Sequence, residues 1–459
     1  MPSYLMRRKL VAEMFSKILI ANRGEVAVRV IRACKEMGIE TVAVFSEADT
    51  DALHVEMADE SYCIGGPLAK DSYLKIDAII TLAKKVGAKA IHPGYGMLSE
   101  NPEFAKACEA NGIVLIGPGA DVMEKMGEKE RAREIAISSN VPVAPGSDIL
   151  TDITDAEKNA EKIGYPVILK ARAGGGGKGI RVVREKSELS GLFSQVQKEA
   201  HNSFGDDGIF MERYLENVKH VEVQILADHN GKVIVLGDRD CSVQRKNQKL
   251  IEECPAPVLS DETRKKMYEA AVRLASAVGY VTVGTIEFLV KNDDFYFMEM
   301  NTRLQVEHSV TEMVCGIDIV EWQIRTAAGI DIPFSQDDIS NSRHAIECRI
   351  CAEDSKNFRP STGRVELLHI PGGVDVRFDS ALYQNCEVTP FYDSMLGKLV
   401  VCSDTRDGAI RKMKCALSEF VLVGVENNRE MHMRFMEDSK FLIGNYDTSI
   451  CQKVLQAWN

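Results

Sequence analysis

Residues 17 to 46 read "KILIAN", "RGEVAVRVIRACKEMG" and "IETVAVFS": an apolar strand, an amphipathic helix stopped by Gly38 and a second apolar strand. That order is a βαβ unit, and it commits this end of the chain to a parallel sheet. The alternation resumes in "DAIITLAKKVGAKAIHPGYG" (77–96) and "NPEFAKACEANGIVLIG" (101–117), extending a Rossmann-like α/β domain over 14–125. The opening turn "ANRGE" lacks GxGxxG, which argues against a dinucleotide site there. From Val141 the texture changes to short strands and turns, "YPVILKA", "GIRVV", "GIFMERYLE", "HVEVQILAD" and "KVIVLGDRDCSVQR", which imply antiparallel hairpins. A helix at 261–279, a hairpin at 285–308, a helical stretch to about 329 and a mixed α/β tail follow, with no internal repeat. The fold class is therefore α/β and α+β combined.

A length of 459 residues suits about three domains. The formal charge of −12 argues against a nucleic-acid partner, which would leave a basic patch. No apolar run is long enough to span a bilayer, so no membrane role is expected. Twelve cysteines sit singly along the chain, which suits a reduced, cytoplasmic compartment. The one CxxC, Cys348 to Cys351, lies in a strand-like stretch where an offset of three points the two sulfurs to opposite faces. The basic residues 1–13 read as an extension ahead of a native start at Met14, with a short organelle-targeting segment as the alternative.

Four constellations carry chemistry. In "VILKARAGGGGKGIRVV" (167–183) the glycines Gly174, Gly175, Gly176 and Gly177 lie between strands, with Lys170 before them and Lys178 after. A Rossmann loop would open a helix and a P-loop would need Ser or Thr where Gly179 stands, so the reading is a glycine hairpin whose bare amides fold over a polyphosphate. In 285–308, strand alternation places Glu299, Asn301, Arg303, Gln305 and Glu307 on one face for as long as the chain stays extended. An odd-length turn at "KNDD" would set Glu287 opposite Glu299, and like charges so placed call for a divalent cation, Mg²⁺ for such hard oxygens. "DRDCSVQRKNQK" (238–249) is dense in cationic and amide side chains, with Lys249 an anion ligand; the bland alternative is a solvated loop. Arg349 in "ECRICAED" shares its face with Glu347 and Cys351, and "HPGYG" (92–96) reads as a tight turn with His92 structural.

Together with "MGEK", "PFYDSMLGKL" and "MEMNTRLQVEHSVTEMV", these segments resemble the biotin carboxylases of the ATP-grasp superfamily, from about Phe15 to the C-terminus and in the family's order. The resemblance implies an N-terminal α/β domain (14–125), an ATP-grasp domain (126–335) with a lid at about 142–215, and a C-terminal domain (336–459). It implies that Lys129 and Lys170 bind ATP phosphates beneath the Gly174–Gly177 lid, and that Glu212, Arg213, Tyr214 and Leu215 form the adenine hinge. His220, Gln244 and Asn247 would line the nucleotide site. Glu287 and Glu299, with Asn301, would hold Mg²⁺ or Mn²⁺, two ions in all. Lys249, Arg303, Gln305 and Val306 match the bicarbonate pocket, Glu307 the base, and Arg349 the group facing the biotin ureido oxygen. Asp393 and Arg29 match, more loosely, positions linked to biotin handling or subunit contact.

The implied enzyme is a ligase carboxylating biotin held on a carrier protein, through carboxyphosphate, as the first half-reaction of an acyl-CoA carboxylase such as the acetyl-CoA carboxylase of fatty acid biosynthesis. A split pyruvate carboxylase is the alternative. Carrier and carboxyltransferase subunits would be partners, the chain a homodimer, and biotin not attached here: "RKMKCALSE" (411–419) lacks the methionine after its lysine and matches an ordinary helix. Ser309 stands where the family usually has proline, which would loosen the turn after Glu307, and Asn247 where many members have histidine. Two rivals remain: another carboxyphosphate-using ATP-grasp ligase, such as a carbamoyl-phosphate synthetase half, and a nucleotide-binding scaffold without catalysis.

Overall fold

A computed structural model describes residues 14–172 and 179–458. Strands β1 (Lys17–Ile20), β2 (Glu40–Phe45), β3 (Glu60–Cys63), β4 (Ala90–His92) and β5 (Val114–Leu115) form a parallel sheet in the order β3-β2-β1-β4-β5. Ile18, Leu19 and Ile20 are wholly buried, as a central strand covered on both faces requires. The helix Gly24–Glu36 packs its Val26, Val30 and Ile31 against this sheet and ends ahead of Gly38, whose positive φ closes the turn into β2. The "HPGYG" turn is structural: Asn22 donates to the carbonyls of Pro93 and Tyr95, at 2.7 and 2.8 Å, and Gly94 N–H to His92 Nδ1. A side chain on Gly94 would meet Asn22, so the turn needs glycine there.

A small antiparallel sheet follows, β7 (Ile180–Val183), β6 (Val167–Ala171) and β8 (Ile209–Arg213) in that order, closed over by the helices Ile153–Ile163 and Lys186–Phe204. The glycine hairpin expected at Gly174 to Gly177 lies outside the described residues.

The largest sheet has eight strands: β9 (Lys219–Ala227), β10 (Val233–Arg245), β11 (Gln248–Cys254), β12 (Thr282–Lys291), β13 (Asp294–Asn301) and β14 (His344–Cys351), joined by β17 (Val376–Ser380) and β19 (Met395–Ser403). Two ribbons, β15 (Gly363–Arg364) with β18 (Glu387–Val388) and β16 (Leu367–His369) with β20 (Val421–Val423), flank its far end. Its order is β13-β12-β9-β10-β11-β14-β19-β17, so it runs on through the β11–β14 pair across residue 335. Period-2 alternation gives β9 two different faces. Val221, Val223 and Ile225 pack on Met267, Ala271 and Leu274 of the helix Asp261–Ala277, while His220, Glu222 and Gln224 line the opposite side. That helix starts at Ser260, whose hydroxyl accepts the Thr263 N–H.

Three expectations need correction. The β12–β13 turn is two residues, Asn292–Asp293, which without a bulge would set Glu287 against Met298. A bulge between Glu287 and Phe288 adds one residue to β13 and restores the pairing of Glu287 with Glu299. The strand then ends at Asn301, and Glu307 arrives as the residue capping the helix His308–Cys315, so one extended face does not carry all five side chains. The Ser309 turn is also not loosened, because its hydroxyl donates to Asp379 Oδ2 at 2.9 Å, in the buried interior. "RKMKCALSE" lies within the helix Arg406–Glu419. All twelve cysteines are unpaired, and among the described residues no helix is long and apolar enough to cross a membrane.

Glu253 ties β11 to the C-terminal helices. It accepts from His344 Nε2 at 2.8 Å, Arg406 Nε at 2.7 Å and the Tyr446 hydroxyl at 2.6 Å. Burial alone would raise its pKa, but His344 and Arg406 prevail and hold it at about 2, against an ordinary 4.5. A folded pKa below the unfolded one contributes stability that is complete above the unfolded value and is lost as pH falls through the folded one. Glu253 should therefore contribute about 3 kcal/mol at neutral pH, lost between about pH 4.5 and 2. Unfolding midpoints measured across that range should fall less steeply for Glu253→Gln than for the wild type; equal slopes would disprove the assignment.

Candidate active site

The polar face of β9 meets the side chains of β10, β11, β12 and the head of the helix His308–Cys315. At the centre is Lys249, whose Nζ donates to Glu222 at 2.7 Å, Glu287 at 2.9 Å and Glu307 at 2.7 Å. Burial disfavours the ammonium, but three carboxylates outweigh it and push its pKa well up. The same contacts act in reverse on Glu307: burial would raise its pKa, yet Lys249, Arg349 and Arg239 hold it well below the usual carboxylate range. Glu307 Oε2 lies 2.9 Å from Arg349 Nη2, so the carboxylate is clamped between two cations.

Glu287 Oε1 also accepts from Asn301 Nδ2 and Gln305 Nε2, both at 2.8 Å, and its Oε2 lies 2.8 Å from His220 Nε2. Burial opposes charge on His220, but Glu287 prevails and raises its pKa. Gln244 Nε2 lies 2.6 Å from His220 Nδ1. Glu299 is raised in pKa by burial and by the facing Glu287. Along one side, Lys170 pairs with Glu212 on β8, Arg133 reaches the other Glu212 oxygen at 3.1 Å, and the pKa of Lys129 is lowered by burial and by the charge on Lys170. Arg213 and Tyr214 donate their backbone N–H groups to the carbonyls of Pro145 and Pro166, which fixes the exit from β8 toward Leu215.

Asn301 lies against Glu287, its amide nitrogen donating to that carboxylate and its oxygen accepting from Arg303 Nη2 at 2.9 Å. Arg303 is anchored by Glu100 at 2.8 Å, and the Val306 carbonyl accepts from Lys398 at 2.7 Å. Asn247 is exposed at the two-residue β10–β11 turn, where Lys246 and Asn247 both take positive φ. Asparagine suits that turn itself. Arg29 is buried within the chain, with Glu312 at 2.9 Å and Asp318 at 2.7 Å. Asp393 is exposed and accepts from the Met395 N–H.

The arrangement gathers cationic side chains, a facing carboxylate pair and a clamped carboxylate in one cluster. The biotin carboxylase N-terminal domain family matches residues 14–123 and its C-terminal domain family residues 347–453. The carbamoyl-phosphate synthase L chain ATP-binding domain matches 128–334. "Biotin carboxylase 1" of Bacillus subtilis is 51% identical over 96% of this chain and 98% of its own length. This chain belongs to the biotin carboxylase family. A pyruvate carboxylase subunit of Methanothermobacter thermautotrophicus is 50% identical over 95% of this chain and 89% of that protein. The crystallised biotin carboxylase domain dimer of the Hydrogenobacter thermophilus 2-oxoglutarate carboxylase, in complex with MgADP, ADP and bicarbonate, superposes with a TM-score of 0.92 at 47% identity, covering 96% of this chain and 99% of that one.

The fold is thus the ATP-grasp fold of biotin carboxylases, and the flanking matches decide against a carbamoyl-phosphate synthetase half. For a member of this family the Glu287–Glu299 pair fits a divalent cation: two hard carboxylates face each other across the β12–β13 pair, Glu287 kept ionised by Lys249 and His220 and Glu299 raised in pKa by burial and by Glu287. The sequence reading missed Glu222, Arg239, Glu252 and Glu100. Alternation along β9 from His220 would have flagged Glu222. Arg239 is fully buried and donates to Glu222, Gln224, Thr311, Thr285 and Gln305, yet nothing local distinguishes it from its neighbours in "DRDCSVQR".

Proposed function

We propose that this biotin carboxylase uses ATP and bicarbonate to carboxylate biotin presented by a separate carrier protein. The observation that carries the reading is the clamped Glu307, with Lys249 on one oxygen and Arg349 on the other. Lys129 and Lys170 would bind the phosphates, the Glu212–Leu215 hinge the adenine, and His220 and Gln244 the nucleotide's inner edge. Glu287 and Glu299 would hold Mg²⁺, which when bound neutralises phosphate charge.

Lys249, Arg303 and Gln305 orient bicarbonate against the γ-phosphate. A carboxylate held far below its ordinary pKa is a weak base. Bicarbonate drawing Lys249 to itself weakens that hold, and Glu307 then takes the bicarbonate proton as the bicarbonate oxygen attacks the γ-phosphorus and ADP leaves. Carboxyphosphate breaks into CO₂ and phosphate. The phosphate removes the ureido N1′ proton, Arg349 stabilises the resulting oxyanion, and N1′ attacks CO₂.

We assign the cytoplasm, a homodimer and the acyl-CoA carboxylase half-reaction. The split pyruvate carboxylase is the second reading, favoured by the 50% identity to the Methanothermobacter protein. Bicarbonate-dependent ADP release should rise when free biotin is added; no stimulation by biotin would overturn the reading.

A further inference from the structure

Arg349 is held by two carboxylates that fare differently during turnover. Its Nη2 bonds Glu307 Oε2 at 2.9 Å and its Nε bonds Glu252 Oε1 at 2.7 Å, with Nη2 also 2.5 Å from that oxygen. When Glu307 takes the bicarbonate proton, one of the two negative partners disappears, just before the biotin step requires Arg349 in place. We propose that Glu252 is a positioning residue for biotin carboxylation: it retains the Arg349 guanidinium, in place and in charge balance, while Glu307 is protonated. This rests on the roles of Glu307 and Arg349 given above.

The surroundings single out Glu252 for this task. It is wholly buried, so it acts through Arg349 rather than on substrate. Of the two register shifts in the β10–β11 ladder, the one between Val243 and Gln244 inserts one extra residue into β11, which lets Lys249 and Glu252, three apart, serve the same cluster. Glu252 stands directly opposite Glu347 on β14, and both are fully buried. Two carboxylates so placed do not both ionise without compensation. Contacts decide which one carries the charge. Glu252 has Arg349, whereas neither oxygen of Glu347 has a hydrogen-bond partner among the described residues. Burial raises both, Glu252 to about 7 against the pull of Arg349 and Glu347 well up against that of Lys398. Glu347 therefore keeps its proton and leaves Arg349 to Glu252. The other charged groups facing Glu252 are Lys249 on its own strand and Glu307 at the helix head. The Arg349 backbone is fixed independently, its carbonyl accepting from His432 Nε2 at 2.7 Å and Asn428 Nδ2 at 3.0 Å. Removing the Glu252 charge should therefore release the guanidinium and not the strand.

The test compares wild type, Glu252→Gln and Arg349→Lys in bicarbonate-dependent ADP release with and without free biotin. For Glu252→Gln the biotin-stimulated increment should fall about tenfold or more, the scale of a misplaced reacting group, with biotin-free ADP release and the KM for MgATP within about twofold of wild type. A general structural defect lowers both rates together, so equal losses, or an intact increment, would overturn the proposal. Arg349→Lys should lose the increment. If it loses it while Glu252→Gln does not, only the role of Glu252 fails; if it keeps it, the underlying assignment of Arg349 fails. Should Glu252→Gln not fold, Glu252→Asp, which keeps the charge but shortens the reach, must still lose more of the increment than of the biotin-free rate, and equal losses again refute the role.

Discussion

Replacing Glu307 with glutamine is expected to lower bicarbonate-dependent ADP release by about 10²- to 10⁴-fold, the span of a positioned general base, with the KM for MgATP within about twofold of wild type. The substitution preserves shape but removes the proton acceptor. An amide can satisfy only one of the two cations that clamp the carboxylate, because its nitrogen must then face the other donor. Lys249 retains Glu222 and Glu287, so the cluster stays assembled. The groups proposed for nucleotide contact, Lys129, Lys170 and Glu212, form a separate set of contacts. Steady-state kinetics with ATP varied at saturating bicarbonate separate the two parameters. A large rise in the KM for MgATP at unchanged turnover would move Glu307 into the nucleotide or metal site.

Arg239→Met is expected to destabilise the protein by about 3–5 kcal/mol, the cost of stripping one partner from a buried ion pair. All five N–H donors of the guanidinium are used within the interior: Nε on Glu222 at 2.5 Å, Nη1 on Gln224 at 2.8 Å and Thr311 at 2.9 Å, Nη2 on Gln305 at 2.7 Å and Thr285 at 3.3 Å. Methionine fills much of the volume but leaves these acceptors unanswered and Glu222 dependent on Lys249 alone. Turnover should fall as well, since Gln305 is freed and Glu222 draws Lys249 away from Glu307. Arg239→Lys should rescue little, having three donors and no planar fork. Urea unfolding should show a lower midpoint at an unchanged slope. A midpoint equal to wild type would show that the network is not holding the cluster.

These two residues also show what could be read before the fold was known. Glu307 stands in a motif and beside alternating polar residues, so its chemistry was legible even though the strand stops at Asn301 and Glu307 arrives by a turn. Arg239 was not legible: its partners come from β9, β12, the loop before Glu307 and the helix His308–Cys315, and only their convergence makes it central. The Glu287–Glu299 pairing was anticipated from a turn of the wrong length and is produced by a bulge, a defect that alternation cannot locate. Asn247, read toward the nucleotide, also takes a positive φ in the β10–β11 turn, a backbone requirement its motif did not announce.

By itself the sequence determined the parallel N-terminal sheet, the switch to antiparallel hairpins and the residue types of the reaction, because each follows from local periodicity or from a motif a few residues long. The tertiary structure alone decided which carboxylates meet which cations. Glu222, Glu252, Glu287 and Glu307 lie on four segments, and their charge states depend on Lys249, Arg239 and Arg349 reaching them inside a buried interior, where a contact of 2.7 Å outweighs the penalty of leaving water.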